Sequence, residues 1–334
     1  MWGVMHARST LVLTRSDVEA VLSPDDCRIA VEDAFRAFGD GKAAAPAIVG
    51  VRGVDGGFHI KAGLQRRDRC YFAAKVNGNF AGNPARGLAR IQGVVVLSDG
   101  DTGEPLALMD SASITTLRTA AATAVAAKHL AREDASIITI CGCGIQGRAH
   151  LTALLRVRPI RKVFAFDVNR ERAYEFACDV KAALAIDTSV VDDLQTASRA
   201  SDIVVTCTPS TAPLLFNGDL SPGALVAAVG ADSEEKQELD AALLSKTTVV
   251  TDVTAQCATI GDLHHAIAAG ATSAKQAHAE LGEIVAGRKA GRSSATEIIV
   301  FDSTGMALQD VAAGAAAYEA AVRVGRGRAV TLSG

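Results

Sequence analysis

The spacing of apolar residues changes along this chain, and the change divides it into two kinds of structure. Between residues 46 and 110, short apolar runs follow one another with Gly, Asp and Asn residues between them. The segment from Asp99 to Pro105 has the composition of a hairpin turn. Strands that follow one another without helices predict an antiparallel sheet, formed here by residues 48–51, 58–61, 71–76, 94–97 and 106–109.

Apolar runs alternate with helical segments in the next part of the chain, from residue 136 to residue 255, and a final buried strand is predicted near residue 300. This alternation predicts a parallel, doubly wound sheet with helices on both faces. The predicted strands cover residues 137–141, 162–166, 189–191, 203–207, 225–229, 248–251 and 298–302. We therefore predict an α/β protein with a second, α+β domain that is rich in antiparallel strands.

Helical patterns occur outside the alternating region as well. Near the start of the chain, Ser16 and Glu19 have the spacing of a capping box, and Ile29 lies on the apolar side of the helical pattern that follows. Further helices are predicted over residues 111–131, which are rich in Ala, and over residues 306–324. Residues 325–334 are expected to fray, as chain ends often do.

Composition adds limits to this picture. A chain of 334 residues with 49% hydrophobic residues is long enough for two domains with well-packed cores. A net charge of -3 gives no reason to expect a nucleic-acid partner. No apolar stretch approaches the length of a transmembrane helix, and residues 1–14 do not resemble a secretory signal. We expect a cytoplasmic protein whose seven cysteines are reduced, without a metal site.

A glycine-rich turn provides the most specific chemical signal in the sequence. The β-branched run from Ile137 to Cys141 leads directly into Gly142-x-Gly144-x-x-Gly147, and an Ala- and Leu-rich segment follows. A strand, a tight glycine turn and a helix in this order present backbone N–H groups to a pyrophosphate. The sequence therefore predicts a Rossmann-type domain that binds a dinucleotide cofactor.

The second strand of that domain bears on which dinucleotide binds. It ends in Asp167, twenty residues after Gly147, where a carboxylate accepts both ribose hydroxyls of NAD and repels the 2′-phosphate of NADP. A plain turn-forming Asp is the alternative interpretation. Asn169 and Arg170 follow directly and are suited to a 2′-phosphate. NAD is favoured, and NADP remains open.

Later strands place polar residues where a ligand is expected, because functional groups in such sheets lie at the carboxyl ends of the strands. Thr206, Cys207 and Thr208 end one strand, and Asp232 follows another. For Asp232, a helix cap or a loop salt bridge is the alternative to a functional role.

Cations in unusual positions form a second group of candidates. Arg118 lies among small apolar residues, where a guanidinium needs an anionic partner, either a structural carboxylate or that of a substrate. His59 and Lys61 share one face of a predicted strand, which faces either solvent or a cleft. Lys75 precedes Asn77-Gly78-Asn79, and a lysine that extends its amine to solvent at a strand end is the simpler interpretation.

Taken together, several segments resemble the ornithine cyclodeaminase/μ-crystallin family. They run in the family's order over nearly the whole chain. They are Ala74–Gly78, Leu97–Pro105, Leu117–Ala121, the turn Gly142–Gly147, Val229–Leu239 and Phe301–Asp310. The resemblance implies a homodimer with two domains: residues 1–117 with 303–334 for substrate binding and dimerisation, and residues 118–302 as the NAD(P)-binding Rossmann domain.

The resemblance also assigns roles to individual residues. Lys75 and Arg118 match the family's substrate-carboxylate binders, and Asp232 matches its catalytic carboxylate, with Lys75 as a second catalytic candidate. Hydride then passes between the substrate Cα and the nicotinamide, while Asp232 acts as general acid or base. Predicted substrate-binding residues are Arg118, Lys75, Lys61, His59, Gln92 and Gly305. Predicted cofactor-binding residues are Gly142, Gly144, Ile145, Gln146, Gly147, Asp167, Asn169, Arg170, Thr206, Cys207, Thr208 and Thr119.

Departures from the family pattern narrow the activity. Ile48 stands where family members commonly have an Arg, and Lys61 or Arg52 is a candidate replacement. Gln92 stands where ornithine-type members have Thr, and no acid lies between Asp55 and Asp68 to receive a distal ammonium group. These departures favour an amino-acid dehydrogenase or imine reductase acting on a small α-amino acid and its imino or keto acid. The alternatives are an ornithine cyclodeaminase, which recycles NAD, and a non-catalytic binder of NADPH and a small ligand.

Overall fold

A computed structural model describes residues 9–43 and 46–332 of the chain. The expectation that no secretory signal is present concerns residues 1–14, of which the first eight lie outside the described residues. The chain divides into two compact units. The first contains Met1–Arg118 and Ala307–Gly334, and the second contains Thr119–Met306. Our boundaries from the sequence were 117/118 and 302/303.

Strands and helices follow one another in a defined order. The strands are β1 (Thr10–Leu13), β2 (Ala47–Gly53), β3 (Gly56–Arg66), β4 (Cys70–Phe80), β5 (Ile91–Asp99), β6 (Pro105–Asp110), β7 (Ile137–Cys141), β8 (Lys162–Phe166), β9 (Asp187–Val190), β10 (Ile203–Thr206), β11 (Thr211–Leu215), β12 (Leu225–Ala228), β13 (Gln237–Leu239), β14 (Thr248–Thr251), β15 (Ala279–Glu280), β16 (Ile299–Asp302) and β17 (Arg328–Val330). The helices are α1 (Arg15–Val21), α2 (Pro24–Gly39), α3 (Ser111–Leu130), α4 (Ile145–Leu154), α5 (Arg170–Leu184), α6 (Leu194–Arg199), α7 (Ala241–Leu244), α8 (Thr254–Ile260), α9 (Asp262–Ala268), α10 (Leu281–Val285) and α11 (Ala307–Val324).

The first unit is built on a seven-stranded sheet in the order β17-β1-β6-β5-β4-β3-β2. Its neighbouring strands pair antiparallel, except that β1 lies parallel to β6. The predicted antiparallel sheet and its hairpin between β5 and β6 are confirmed. Our expectation of a frayed tail was wrong for Arg328–Val330, because these residues pair with β1. The last two residues of the tail lie outside the described part of the chain.

One face of this sheet is covered by the last helix. A Cβ atom at Gly63 would lie 3.2 Å from Leu308 and 3.4 Å from Val311, so α11 packs directly on β3. Side chains alternate along a strand, and Lys61, Gly63 and Gln65 are the buried positions of β3 on this side. We call this side the helix face of the sheet. Polar groups that point from the strands toward α11 are therefore removed from water.

The opposite face of the sheet exposes apolar side chains within the single chain. Val49 and Val51 on β2 are 52% and 50% exposed, Phe58 on β3 is 45% exposed, and Val94 on β5 is 46% exposed. The strand register places these four residues on the same side of the sheet. We call this surface the open face. An extended apolar surface of this kind is typical of an interaction site.

The second unit confirms the predicted doubly wound sheet. Eight parallel strands lie in the order β15-β14-β16-β12-β10-β7-β8-β9. Central strands β10, β12 and β16 are buried throughout, because the connecting helices leave little of a parallel sheet exposed. The carboxyl ends of neighbouring strands β7, β10 and β12 therefore lie side by side. Among the residues that the structure describes, no helix is long and apolar enough to cross a membrane.

Local details at the helix starts correct two expectations. The capping box lies two residues earlier than predicted: Thr14 caps α1 and pairs reciprocally with Asp17. Ile29 is 49% exposed, although it was expected on the buried side of its helix. At the start of α3, the Asp110 carboxylate accepts a hydrogen bond from the backbone N–H of Ser113 at 2.8 Å.

Candidate functional site

The glycine-rich turn after β7 has the geometry of a phosphate-binding site. Gly142 adopts a φ of 103°, which favours glycine. A Cβ atom at Gly147 would lie 2.2 Å from the Gly142 carbonyl oxygen, so the helix packs against the turn without room for a side chain. Gly144 has open space around its Cα and begins α4 without a side-chain cap. The start of α4 therefore presents backbone N–H groups at an unobstructed surface.

Asp167 lies at the carboxyl end of β8, beside the glycine-rich turn. Its carboxylate accepts hydrogen bonds from the backbone N–H of Cys143 and of Asn169, both at 2.9 Å. These bonds fix the carboxylate next to the turn, where a ribose is expected. The bond to Asn169 also means that Asp167 forms the local turn that we considered as the plain alternative.

The two residues proposed for a 2′-phosphate have other partners. Asn169 caps α5, because its side-chain oxygen accepts hydrogen bonds from the backbone N–H groups of Glu171 and Arg172. The Arg170 guanidinium forms a 2.6 Å ion pair with Asp192 and lies over the Tyr174 ring. A 2′-phosphate would have to compete for these contacts, which weakens the case for NADP.

Other predicted cofactor residues differ in their access to a ligand. Ile145 is 73% exposed at the start of α4, and Gln146, Thr119, Cys207 and Thr208 are half-buried. Thr206 is different, because its side chain is fully buried and its hydroxyl donates to Glu238 at 2.8 Å. Thr206 therefore lies behind the surface that would face a ligand, not on it.

Asp232 lies in the loop after β12, and its side chain is 52% exposed. The Lys236 amine forms an ion pair with it at 2.5 Å. This contact is the loop salt bridge that we considered as the alternative to a functional role for Asp232. Because its side chain is half exposed, the Asp232 carboxylate is also accessible to a ligand.

Gly305 lies between β16 and α11 with a φ of 85°. Its backbone N–H donates to the buried carboxylate of Asp252 at 2.6 Å, and Ser303 donates to the same carboxylate at 3.0 Å. Asp252, which follows β14, therefore holds this loop in place.

The first unit brings Lys75 and Arg118 together on one carboxylate. The Lys75 amine lies 2.9 Å from Asp310 Oδ1, and Arg118 Nε lies 3.1 Å from the same oxygen. Arg118 Nη1 also donates to Gln309 Oε1 at 2.9 Å. Lys75 is 3% exposed, so the interpretation of a lysine extended to solvent at a strand end was wrong. Lys75 lies in the middle of β4, on the helix face of the sheet.

Three further predicted residues lie on the same sheet, but not all on the same side. Lys61 is directly opposite Lys75 in the β3–β4 register and is 9% exposed. His59 follows on the same face and is exposed. Gln92 pairs with Gly78, which places it on the open face, away from Lys75. The structure therefore separates Gln92 from the predicted substrate-binding group, because neighbouring strand positions alternate between faces.

Three buried cations act on the Asp310 carboxylate. Lys61, Lys75, Arg118 and Asp310 are all nine-tenths or more buried. Burial, followed by repulsion from Arg118, lowers the pKa of Lys75 to about 7. Attraction to Lys75, Arg118 and Lys61 holds the pKa of Asp310 below its usual range although burial opposes this. A carboxylate ligand near these side chains would be attracted to their positive charges.

Sequence reasoning missed the two residues that organise this cluster. Gln309 and Asp310 were noted only as the end of a family segment, although they contact both predicted carboxylate binders. Their side chains also retain bonding capacity, because Gln309 Nε2 and Asp310 Oδ2 are buried without a hydrogen-bond partner. The signal available in the sequence was an acid, Asp310, at the fourth position of the Ala-rich helix α11.

The two units define a class of protein: one carries a dinucleotide-type glycine turn, and the other carries a buried cluster of cations paired with Asp310. The profile of the ornithine cyclodeaminase/mu-crystallin family matches residues 8–325. The chain belongs to this family, which confirms the resemblance seen in the sequence.

Three solved structures of relatives are similar over nearly their whole length. An archaeal alanine dehydrogenase dimer with bound NAD is 37% identical, with a TM-score of 0.93 over 98% of this chain and 100% of that one. The Δ1-pyrroline-2-carboxylate reductase of Thermococcus litoralis, in complex with NADH and L-proline, is 34% identical, with a TM-score of 0.91 over 96% and 100%. The iminosuccinate reductase of Paracoccus denitrificans, in complex with NAD+, is 32% identical, with a TM-score of 0.89 over 97% and 99%.

Two glycine variants separate packing from ligand approach at the turn. Gly147→Ala is expected to destabilise the protein by about 1–3 kcal/mol, because its Cβ would overlap the Gly142 carbonyl. Gly144→Ala has space for its Cβ, so it should keep its melting temperature and weaken NADH binding by about tenfold where the phosphates approach. Calorimetric melting and NADH fluorescence titration measure the two effects. A loss of stability in Gly144→Ala would contradict this division of roles.

The cationic cluster predicts a pH dependence for anion binding. Below about pH 7 Lys75 is protonated and attracts a carboxylate, and above it the amine is neutral, so binding weakens as the pH rises through 7. Asp310→Asn removes the charge that supports protonation, and the transition should move to lower pH. Calorimetric titration with succinate, a nonreacting carboxylate, measures the transition.

Glu319→Gln is the matched control for this experiment. Glu319 lies on the same helix and accepts a hydrogen bond from Tyr71 at 2.8 Å, so its loss should leave the transition in place. An unmoved transition in Asp310→Asn would mean that another group controls anion binding.

Proposed function

We propose that this protein is an NAD-dependent oxidoreductase that interconverts a small α-amino acid and its imino or keto acid. The buried cluster of Lys61, Lys75 and Arg118 around one carboxylate is the observation that carries this proposal. A pair of cations fixed by a shared carboxylate suits the α-carboxylate of an amino acid. Activities named for the similar proteins, reduction of an imine and dehydrogenation of alanine, support the same class.

The proposed mechanism divides the work between the two units. Lys75 and Arg118 bind the substrate α-carboxylate and thereby fix the orientation of Cα. Bound nicotinamide supplies or accepts the hydride. Asp232 transfers the proton at the substrate nitrogen, or at an attacking water, as general acid or base. Its exposure and its ion pair with Lys236 are compatible with proton exchange with solvent.

NAD is the proposed cofactor. Asp167 is held beside the glycine-rich turn by two backbone N–H groups, where its charge repels a 2′-phosphate. Arg170 is engaged by Asp192 and Tyr174. The three similar structures described above contain NAD, NADH or NAD+.

Lys61 favours some substrates over others. Its buried position opposite Lys75 places a second positive charge on the helix face of the sheet. A distal ammonium group, as in ornithine, would be repelled there, whereas a second carboxylate or a small polar group would be attracted. We therefore propose a dehydrogenase or reductase rather than a cyclodeaminase.

Substrate tests follow directly. Oxo acids with one carboxylate (pyruvate) and with two (oxaloacetate, 2-oxoglutarate) are offered with ammonia and NADH, and nicotinamide absorbance reports turnover. We expect oxidation of NADH with at least one of them, and a loss of about 100-fold or more in Asp232→Asn, the size of a lost general acid. Release of proline from ornithine without net cofactor turnover would overturn the proposal.

A single lysine variant tests the specificity. Lys61→Met keeps the length of the side chain and removes its charge, so it should lower kcat/KM for two-carboxylate substrates by about tenfold more than for pyruvate. Lys42→Met is the control, because Lys42 is exposed and forms an ion pair with nearby Asp40 at 3.0 Å, away from Lys75 in the sequence. Equal effects on both substrate classes would assign Lys61 to general anion attraction.

We also propose that the protein is a homodimer formed through the open face. The exposed apolar residues of that face support an interface, and the similar alanine dehydrogenase is a dimer. Val49→Asp combined with Val94→Asp is expected to give monomers in analytical ultracentrifugation. Val168→Asp, at a 92% exposed position of the second unit, should remain dimeric. Dimers that survive the paired substitution would exclude this face.

The cytoplasm is the proposed location of the protein. All seven cysteines are free thiols, and five of them are buried. Thiols in this number persist most readily in a reducing compartment. Burial raises the pKa of Cys141, Cys207 and Cys257, so these thiols are poor nucleophiles.

A further inference from the structure

Glu238 is a buried acid that none of the roles described above uses. It lies in the short strand β13, which pairs with β11 outside the main sheet of the second unit. Its side chain is fully buried. The carboxylate nevertheless makes four hydrogen bonds, and its donors lie at the end of β10 and in the two loops that follow β10 and β12.

These two loops follow neighbouring strands of the parallel sheet. After β10, the backbone N–H and the hydroxyl of Thr208 both donate to Glu238 Oε1 at 2.7 Å. After β12, the backbone N–H of Gly230 donates to Oε2 at 2.8 Å. Thr206, the last residue of β10, donates its hydroxyl to the same oxygen at 2.8 Å. Each carboxylate oxygen thus holds one backbone N–H and one hydroxyl, and one side chain joins the carboxyl ends of β10 and β12.

Both loops carry residues of the proposed chemistry. Gly230 is followed by Ala231 and Asp232, so the bond at Gly230 lies two residues from the proposed acid or base. The loop after β10 also touches the glycine-rich turn, because the Cys207 thiol donates to Gly142 O at 3.2 Å. A Cβ atom at Gly230 would lie 2.4 Å from the Thr208 carbonyl oxygen and 2.5 Å from Glu238 Oε1. The two loops and the Glu238 carboxylate are therefore packed so closely that Gly230 has no room for a side chain.

Only an acceptor with two equivalent oxygens satisfies these donors. A hydroxyl is able to reverse its hydrogen bond, but a backbone N–H is always a donor. An amide in place of the carboxylate would direct its NH2 group at the N–H of Thr208 in one orientation and at the N–H of Gly230 in the other. Either orientation leaves one buried donor without an acceptor and pushes one loop away.

Burial of this acid is unfavourable in itself. Burial raises the pKa of Glu238, and the four donors oppose this effect. A second buried carboxylate, that of Asp262, accepts hydrogen bonds from the backbone N–H groups of Glu238 and Leu239 at 2.8 and 2.9 Å. These bonds hold β13 in place. Buried carboxylates contribute little to stability on balance, so their arrangement at the ligand-facing edge of the sheet points to a positioning role.

We propose that Glu238 is a positioning residue of the reaction, which sets the place of Asp232 and of the cofactor-facing loop after β10. The proposal rests on the proposed function, in which Asp232 transfers a proton. Glu238 does not contact the substrate, and its effect passes through Gly230 and Thr208. Because Lys75 and Arg118 belong to the other unit, Glu238 should leave binding of the substrate carboxylate unchanged.

Glu238→Gln tests this assignment in the full-length protein. We expect kcat to fall by about 10- to 100-fold and the Kd of NADH to rise by about tenfold, while the KM of the oxo acid stays within about twofold. A purely structural role would lower the melting temperature and the active fraction without moving the NADH affinity of the folded protein. Unchanged kcat and unchanged NADH affinity in folded Glu238→Gln would overturn the proposal.

Glu297→Gln provides a matched control. Glu297 also accepts one backbone N–H and two hydroxyls, from Ser293 at 2.6 and 2.9 Å and from Thr248 at 2.6 Å, but it precedes β16 at the amino edge of the same sheet. Its variant is expected to lose stability and to keep kcat and NADH affinity within about twofold. An equal loss of kcat in both variants would overturn the positioning role.

Asp232→Asn separates this proposal from the proposed function. Its rate should not fall further when Glu238→Gln is added, because Glu238 acts on proton transfer through Asp232, while NADH affinity should still weaken in the double variant. If Asp232→Asn alone keeps full activity, the proposed function fails, and the NADH affinity of Glu238→Gln still decides the role of Glu238.

If Glu238→Gln does not fold, Thr206→Val replaces it, because this variant retains both backbone hydrogen bonds to Glu238. Thr206→Val should also lower kcat, and an unchanged kcat would overturn the proposal.

Discussion

The ion pairs of Asp310 with Lys75 and Arg118 are the interaction on which the buried polar cluster of the first unit depends. One oxygen of this buried carboxylate lies within 3.1 Å of both cations, which come from β4 and α3. Without it, burial would leave two positive charges that repel one another without this counterion. With it, both cationic side chains are fixed in place inside the protein.

Much of the fold follows from local sequence, because strand and helix periods are properties of short segments. The alternation after residue 136 and the directly consecutive strands before it were sufficient to predict both sheets. The glycine-rich turn was also readable, since each glycine has a separate steric reason that the structure displays at Gly142 and Gly147. What the local pattern did not contain was the pairing of β17 with β1, which joins segments about three hundred residues apart.

The candidate site was only partly predictable, for the same physical reason. Lys75 and Arg118 were identified through the resemblance, whereas Asp310 and Glu238 were not, because their importance lies in contacts with residues far away in sequence. Gln92 lies on the face opposite Lys75, because a one-position difference along a strand changes the face on which a side chain lies. Burial was equally hard to foresee at Lys75, whose sequence neighbours suggested the exposed end of a strand.

The position of Asp310 on the last helix has a consequence for biosynthesis. The second unit is inserted between the two segments of the first unit, so all of its residues leave the ribosome before α11 does. Its parallel sheet contains no residue from α11 and is able to fold while the nascent chain is still growing. Lys75 and Arg118, in contrast, do not have their counterion until residue 310 is translated. During that interval the helix face of the first sheet is not covered by α11.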